Sequence, residues 1–149
     1  MKNMNEFRYA EKCLYEYKRN MAGLNVLRED LRTMQAGLDV HAQNYQHQFS
    51  FGGEVSDPVH NRLVRIESIE TKIRILERCT NPITRLVEDL TAPEVLEYSE
   101  NKGLAEILRL MYFGRNPPDA VIGELKIARR TFYKRRRELV NMAISYLAL

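Results

Sequence analysis

Residues 116–147 read NPPDAVIGELKIARRTFYKRRRELVNMAISYL. Asn116-Pro117-Pro118 opens a short helix, because proline is tolerated in a first helical turn, where its missing N–H has no partner to lose. That helix is expected over about Pro118–Leu125, followed by a turn at Lys126-Ile127 and a last helix over about Ala128–Tyr146. Val121, Leu125, Ile127 and Phe132 are the expected bracing core. Leu139, Val140, Ala143 and Leu147 belong to the buried side of the last helix. Arg129, Arg130, Tyr133, Lys134 and Arg137 fall on one face, at steps of i, i+1, i+4, i+5 and i+8. At 100° per residue Phe132 and Leu139 lie within about 20° of each other, so both can face inward.

A short helix, a tight turn and a basic helix form the helix-turn-helix arrangement. Its second helix enters the major groove, where arginine pairs bidentately with guanine, and flanking cations neutralise phosphates. Residues 103–149 carry nine basic and four acidic side chains, a balance of +5. Residues 1–50 balance at +1 and residues 51–102 at −3, within a whole chain of +3. Six of the ten residues from Ala128 to Arg137 are basic and none is acidic, which points to a polyanionic partner at one place. The competing reading of the cluster is a solvated helix face.

Upstream, Phe7, Ala10, Leu14, Tyr17, Met21 and Leu24 recur at steps of 3 and 4. The series restarts as Leu27, Leu31, Met34 and Leu38, and predicts one helix over about 5–36. Residues 37–57 are Gln/Asn/His-rich, contain Gly52-Gly53 and lack a 3.6 period, so they read as a loop. Asp57-Pro58 then starts a second long helix with the seam Val59, Leu63, Ile66, Ile69, Ile73 and Leu76. Asn81-Pro82 either kinks that helix or begins a new one, and Ile83, Leu86, Val87 and Leu90 continue the seam. Antiparallel pairing brings Cys13 and Cys79 to similar height. Residues 92–103 serve as a short helix or linker. Leu104, Ile107, Leu108, Met111 and Tyr112 form a further apolar stripe, closed by Gly114 as a helix stop.

The expected fold is therefore all-α: a coiled antiparallel hairpin of long helices over 1–91, and a helix-turn-helix module over 92–149. His41, His47 and His60 have spacings unlike a helical metal pair, and no CxxC occurs, so no metal site is expected. There is no P-loop, HExxH or GxSxG, which predicts a non-enzyme without catalytic residues or cofactors. Glu67, Glu70 and Glu77 interleave with Arg62, Arg65, Arg74 and Arg78 as a solvated, salt-bridged face. The N-terminal MKNMNEFRYAEK lacks an apolar signal core and no run approaches the roughly 18–20 apolar residues of a membrane span. A cytoplasmic protein with reduced thiols and no membrane partner is the expectation.

The segment 121–147 resembles the C-terminal module of RinA/ArpU-type phage late-gene transcriptional regulators, which is similar to region 4 of sigma-70 factors. Val121, Leu125, Ile127, Thr131, Phe132 and Tyr133 fit that module's pattern, and Gly52-Gly53 and Ser56-Asp57-Pro58 stand where such regulators carry similar features. The chain departs from the pattern at Ile122 (usually Ala), Lys126 (usually Gly or Asn), Ala128 (usually Ser) and Arg135 (often apolar). Lys126 must then accept a left-handed conformation, and Ala128 lacks a capping oxygen worth about 1 kcal/mol. The resemblance implies an activator of packaging or lysis genes that binds double-stranded DNA through Arg129, Arg130, Thr131, Tyr133, Lys134, Arg136 and Arg137. RNA polymerase and a second copy of the chain are the candidate partners of the hairpin. The alternatives are a small terminase subunit-like DNA-packaging protein and a coiled-coil scaffold with a basic tail.

Overall fold

The computed structural model describes residues 3–45 and 58–149, and all regular structure among them is helical. In chain order these are α1 (Met4–Tyr45), α2 (Pro58–Thr91), α3 (Pro93–Leu96), α4 (Ser99–Ile107), a π-helical turn (Leu108–Phe113), α5 (Pro118–Leu125) and α6 (Arg129–Tyr146). None of these helices is long and apolar enough to cross a membrane.

α1 continues to Tyr45, nine residues beyond the end expected near 36. The apolar period reports where a helix has a packing partner. It does not report helicity itself, and 37–45 contains no proline to stop the chain. The expectations for Gly52-Gly53, His47 and the Ser56-Asp57 cap lie outside the described residues. α2 begins at Pro58 as expected and runs unbroken through Pro82. An interior proline costs a helix about 3 kcal/mol. Here Pro82 is itself buried, and Ile83, Leu86 and Leu90 directly after it are almost wholly buried, which offsets that cost. The Thr84 hydroxyl returns a hydrogen bond to the Thr80 carbonyl at 3.0 Å across the same turn.

The chain divides into two compact units, and residue 91, where a boundary was expected, lies within the one that comprises 1–20 and 78–149. One unit comprises 21–77. Leu24, Ile66 and Ile73 are buried there, whereas Leu63, expected on the seam, is 46% exposed. Gly23 lies against Leu76 at van der Waals distance, Arg28 pairs with Glu77 at 3.0 Å, and Gly37 sits directly beneath the Arg62 guanidinium. Numbers rise along α1 as they fall along α2 within this unit, so its two helical segments run antiparallel. Glu77 thus serves a cross-helix pair, not the intrahelical lattice that its spacing suggested.

The other unit comprises 1–20 and 78–149. Its core joins Ala10, Cys13 and Leu14 of α1, Ile83, Leu86 and Leu90 of α2, the π-helical turn, Val121 of α5, and Phe132, Leu139, Val140, Ala143 and Ile144 of α6. Tyr17 bonds Thr84 at 2.9 Å, and Asn20 donates to the Cys79 sulfur at 3.7 Å. Neither cysteine is in a disulfide. They lie close enough for Cys79 to act on Cys13, whose thiol is pushed up to about 11 by burial first and by Cys79 second.

The stripe 104–112 contains a surprise of local geometry. Leu108, Leu110, Met111 and Tyr112 are all buried, four residues of six. An α-helix presents a narrower apolar face, and the π-helical turn widens it. The turn closes with the Gly114 N–H on the Arg109 carbonyl at 2.9 Å, and with both the backbone and side-chain nitrogens of Asn116 on the Leu110 carbonyl. Gly114 does stop the helix, but with φ of −80°, so it is not the left-handed residue; Arg115 is, at 56°. Glycine is needed at 114 for space, because a Cβ there would lie 2.7 Å from the Leu110 carbonyl oxygen.

This separates two glycines sharply. Gly114→Ala is expected to destabilise the protein by about 1–3 kcal/mol. Gly123, inside α5 with nothing within 4 Å of an added Cβ, is expected to gain up to about 1 kcal/mol on conversion to alanine. Paired urea melts check both signs.

Candidate nucleic-acid interface

α5 and α6 have the bounds that the sequence predicts, to within one residue. Pro117 and Pro118 enter α5 with Pro117 extended, at φ −65° and ψ 157°. α5 ends at Lys126, which takes the left-handed conformation (φ 52°, ψ 45°) and donates its N–H to the Ile122 carbonyl. Ala128 is the N-cap of α6 in extended geometry and, as a residue without a side-chain oxygen, makes no capping bond. The connection is thus as tight as the sequence requires, with a strain of roughly 1–2 kcal/mol at Lys126 and an uncapped helix start.

The inward face of α6 is Phe132, Leu139, Val140, Ala143 and Ile144, all wholly buried. Val121 of α5 is buried with them, and Leu125 and Ile127 pack partly buried against the same core. Of the expected bracing set, Val121 and Phe132 are thus buried, and Leu125 and Ile127 only in part. Tyr146, near the end of α6, bonds Asp89 of α2; that hydrogen bond, then burial, raises its pKa.

The six cations of α6 fall into three environments. Arg129, Arg130, Lys134 and Arg137 are exposed, and Tyr133 beside them is 37% exposed, its ring edge-on to Phe132 at 5.1 Å. Arg129 bridges back to Asp119 of α5 at 2.7 Å, with both side chains largely in solvent. Arg135 turns onto α4. Its guanidinium lies over Gly103 so closely that a Cβ there would be 2.7 Å from Cζ. Thr131 is half-buried.

Arg136, expected among the DNA contacts, points inward instead. Its Nε and Nη2 reach Glu11 Oε1 at 2.8 and 2.6 Å. The same oxygen accepts the Tyr112 hydroxyl at 2.8 Å. Burial works against the Arg136 charge, but the bonds to Glu11 outweigh it and its pKa is raised. Burial, and then the Glu11 charge, raise that of Tyr112 strongly. The exposed set is therefore Arg129, Arg130, Tyr133, Lys134 and Arg137, with Arg136 serving as its anchor. Glu11 carried no signal in the sequence, since its partners lie 101 and 125 residues away.

Chemically, α6 offers a convex row of hydrogen-bond donors on a helix braced from behind. Two arginines occupy its first turn, with no acidic residue there. The helix macrodipole disfavours cations at that end by about 0.3–1 kcal/mol each. An anion placed there would instead meet both arginines and the free backbone N–H groups. No family model, curated protein or solved structure matches the chain.

Glu11→Gln keeps the size of the side chain and removes its charge from a pair that is 15–27% exposed. The expected loss is about 2–3 kcal/mol, because Arg136 is left partly buried without its counter-charge. Arg136→Met, which removes the charge together with the need for it, is expected to lose less. Thermal melts of the two variants check the order.

Proposed function

We propose that the chain is a sequence-specific, double-stranded DNA-binding transcriptional regulator that places α6 in the major groove. One observation carries this reading: α5, the left-handed turn at Lys126 and α6 follow one another, and Val121 of α5 and Phe132 of α6 are buried in one core. The outward face of α6 holds Arg129, Arg130, Tyr133, Lys134 and Arg137, and its inward face is sealed by Phe132 and Leu139. This order supports a helix-turn-helix reading, in which the N-terminal residues of the second helix meet base edges. Arg129 and Arg130 are the base-reading candidates, and Lys134 and Arg137 the phosphate contacts. The anchoring of α6 through five buried side chains also speaks against a basic tail on a scaffold, since a tail has no core to join.

The resemblance to RinA/ArpU-type regulators adds the finer proposal of an activator of phage or prophage late genes acting in the cytoplasm. In that proposal the antiparallel pairing of α1 and α2 in unit 21–77 is the surface for self-association or for RNA polymerase.

Selection of bound duplexes from a random pool, followed by gel-shift titration, tests this reading. Arg129→Ala or Arg130→Ala is expected to cost about 1–3 kcal/mol on the selected site and to relax preference at one position. Lys134→Ala or Arg137→Ala is expected to weaken all sequences alike and to lower the salt slope by roughly one. A pool that yields no preferred sequence, or Arg129 and Arg130 variants that bind the selected site as wild type does, would overturn it.

A further inference from the structure

α1 carries a second cationic surface within the unit that holds α6. Arg8, Glu11, Lys12, Tyr15, Glu16 and Arg19 of α1, together with Arg115, line a cleft of about 350 Å³. Its acids are already committed. Glu11 holds Arg136 and Tyr112, and Glu16 pairs with Arg19 at 3.0 Å. Arg8, Lys12 and Arg115 are exposed, and none has an ion-pair partner among the described residues. Glu16 and Glu11 are spent on Arg19 and Arg136, so among the described residues the three cations converge on a concavity unneutralised and repel one another.

Arg115 is fixed there by its backbone. It takes φ 56°, a conformation that costs a non-glycine residue about 1–2 kcal/mol, and its Nη2 donates to the Tyr15 carbonyl at 3.3 Å. The cleft also adjoins the face of α6. Glu11, which lines it, grips Arg136, and the Arg136 guanidinium stands 6.0 Å from the Tyr133 ring centroid on that face. One node therefore supports both surfaces. From Arg8 to Arg19 the stripe spans about 16 Å of helix, comparable to four or five phosphates of one strand at roughly 3.4 Å axial spacing.

We infer that the cleft formed by Arg8, Lys12 and Arg115 is a second DNA contact, one that clamps the phosphate backbone flanking the site read by α6. The inference rests on the DNA-binding reading above and extends it to α1. The clamp carries no sequence information. It adds affinity and salt dependence through counterion release, and it fixes the orientation of α6 on the duplex.

The test is a fluorescence-anisotropy titration of the full chain on a mixed-sequence 30-bp duplex across a salt series. The triple variant Arg8→Ala, Lys12→Ala, Arg115→Gln is expected to lower the slope of log affinity against log salt by about two to three. Lys12→Ala alone, at an exposed mid-helix position, is expected to lower it by about one, and it reads the clamp independently should the triple variant fold poorly. A Lys12→Ala slope equal to wild type, with Lys134→Ala reduced, overturns the clamp and leaves the α6 reading standing. Absence of duplex binding by the wild-type chain overturns both.

Discussion

One carboxylate oxygen of Glu11 receives hydrogen bonds from Tyr112 and from two nitrogens of Arg136, and so ties α1, the π-helical turn and α6 together. Apolar packing around Phe132 and Leu139 supplies most of the cohesion of this unit, but packing is non-directional. The Glu11 node is directional. It holds Arg136 on the inward face, four residues after Phe132 and three before Leu139, and so fixes the rotation of the helix about its own axis. If α6 rotated to turn Arg136 outward, Phe132 and Leu139 would leave the core with it, and Arg129, Arg130, Tyr133 and Arg137 would turn together.

The cost of holding that rotation is visible in the surrounding residues. Lys126 accepts a left-handed backbone, Ala128 leaves the start of α6 without a side-chain cap, and two arginines sit against the positive end of the helix dipole. Gly103 leaves its Cβ space to the Arg135 guanidinium. A helix optimised for stability alone would place Gly at 126, Ser at 128 and an acid in its first turn. Lys126, Ala128 and the two arginines stand together at the start of α6, where an anion would reverse the sign of the dipole term, which is the pattern expected where function and stability compete.

The bounds of α5 and α6 were legible because proline, periodicity and the break at Lys126-Ile127 all mark the same places. The burial of Phe132 and Leu139 followed from a seven-residue step on a helix. The extension of α1 to Tyr45 was not legible, because no apolar period marks 37–45, and the absence of proline there only permits a helix. The π-helical turn was hidden for a related reason: apolar residues at 107, 108, 111 and 112 fit an α-helical stripe, and only the additional burial of Leu110 betrays the wider turn. The inward turn of Arg136 was legible, because it follows Phe132 by four residues and precedes Leu139, Val140 and Ala143 by three, four and seven, on the buried face. Its partner was not, because that is a glutamate 125 residues away. The same distance concealed that the first twenty residues build the unit that contains α6.

Hydrogen–deuterium exchange of the full chain, with and without an excess of mixed-sequence duplex DNA, reads the central claim most directly, because it maps where the duplex lies without any substitution. The account predicts slowed exchange at 128–137, extending to 8–19, with 58–77 unchanged. Slowed exchange confined to 58–77, or none at 128–137 under conditions where the duplex is bound, would contradict it.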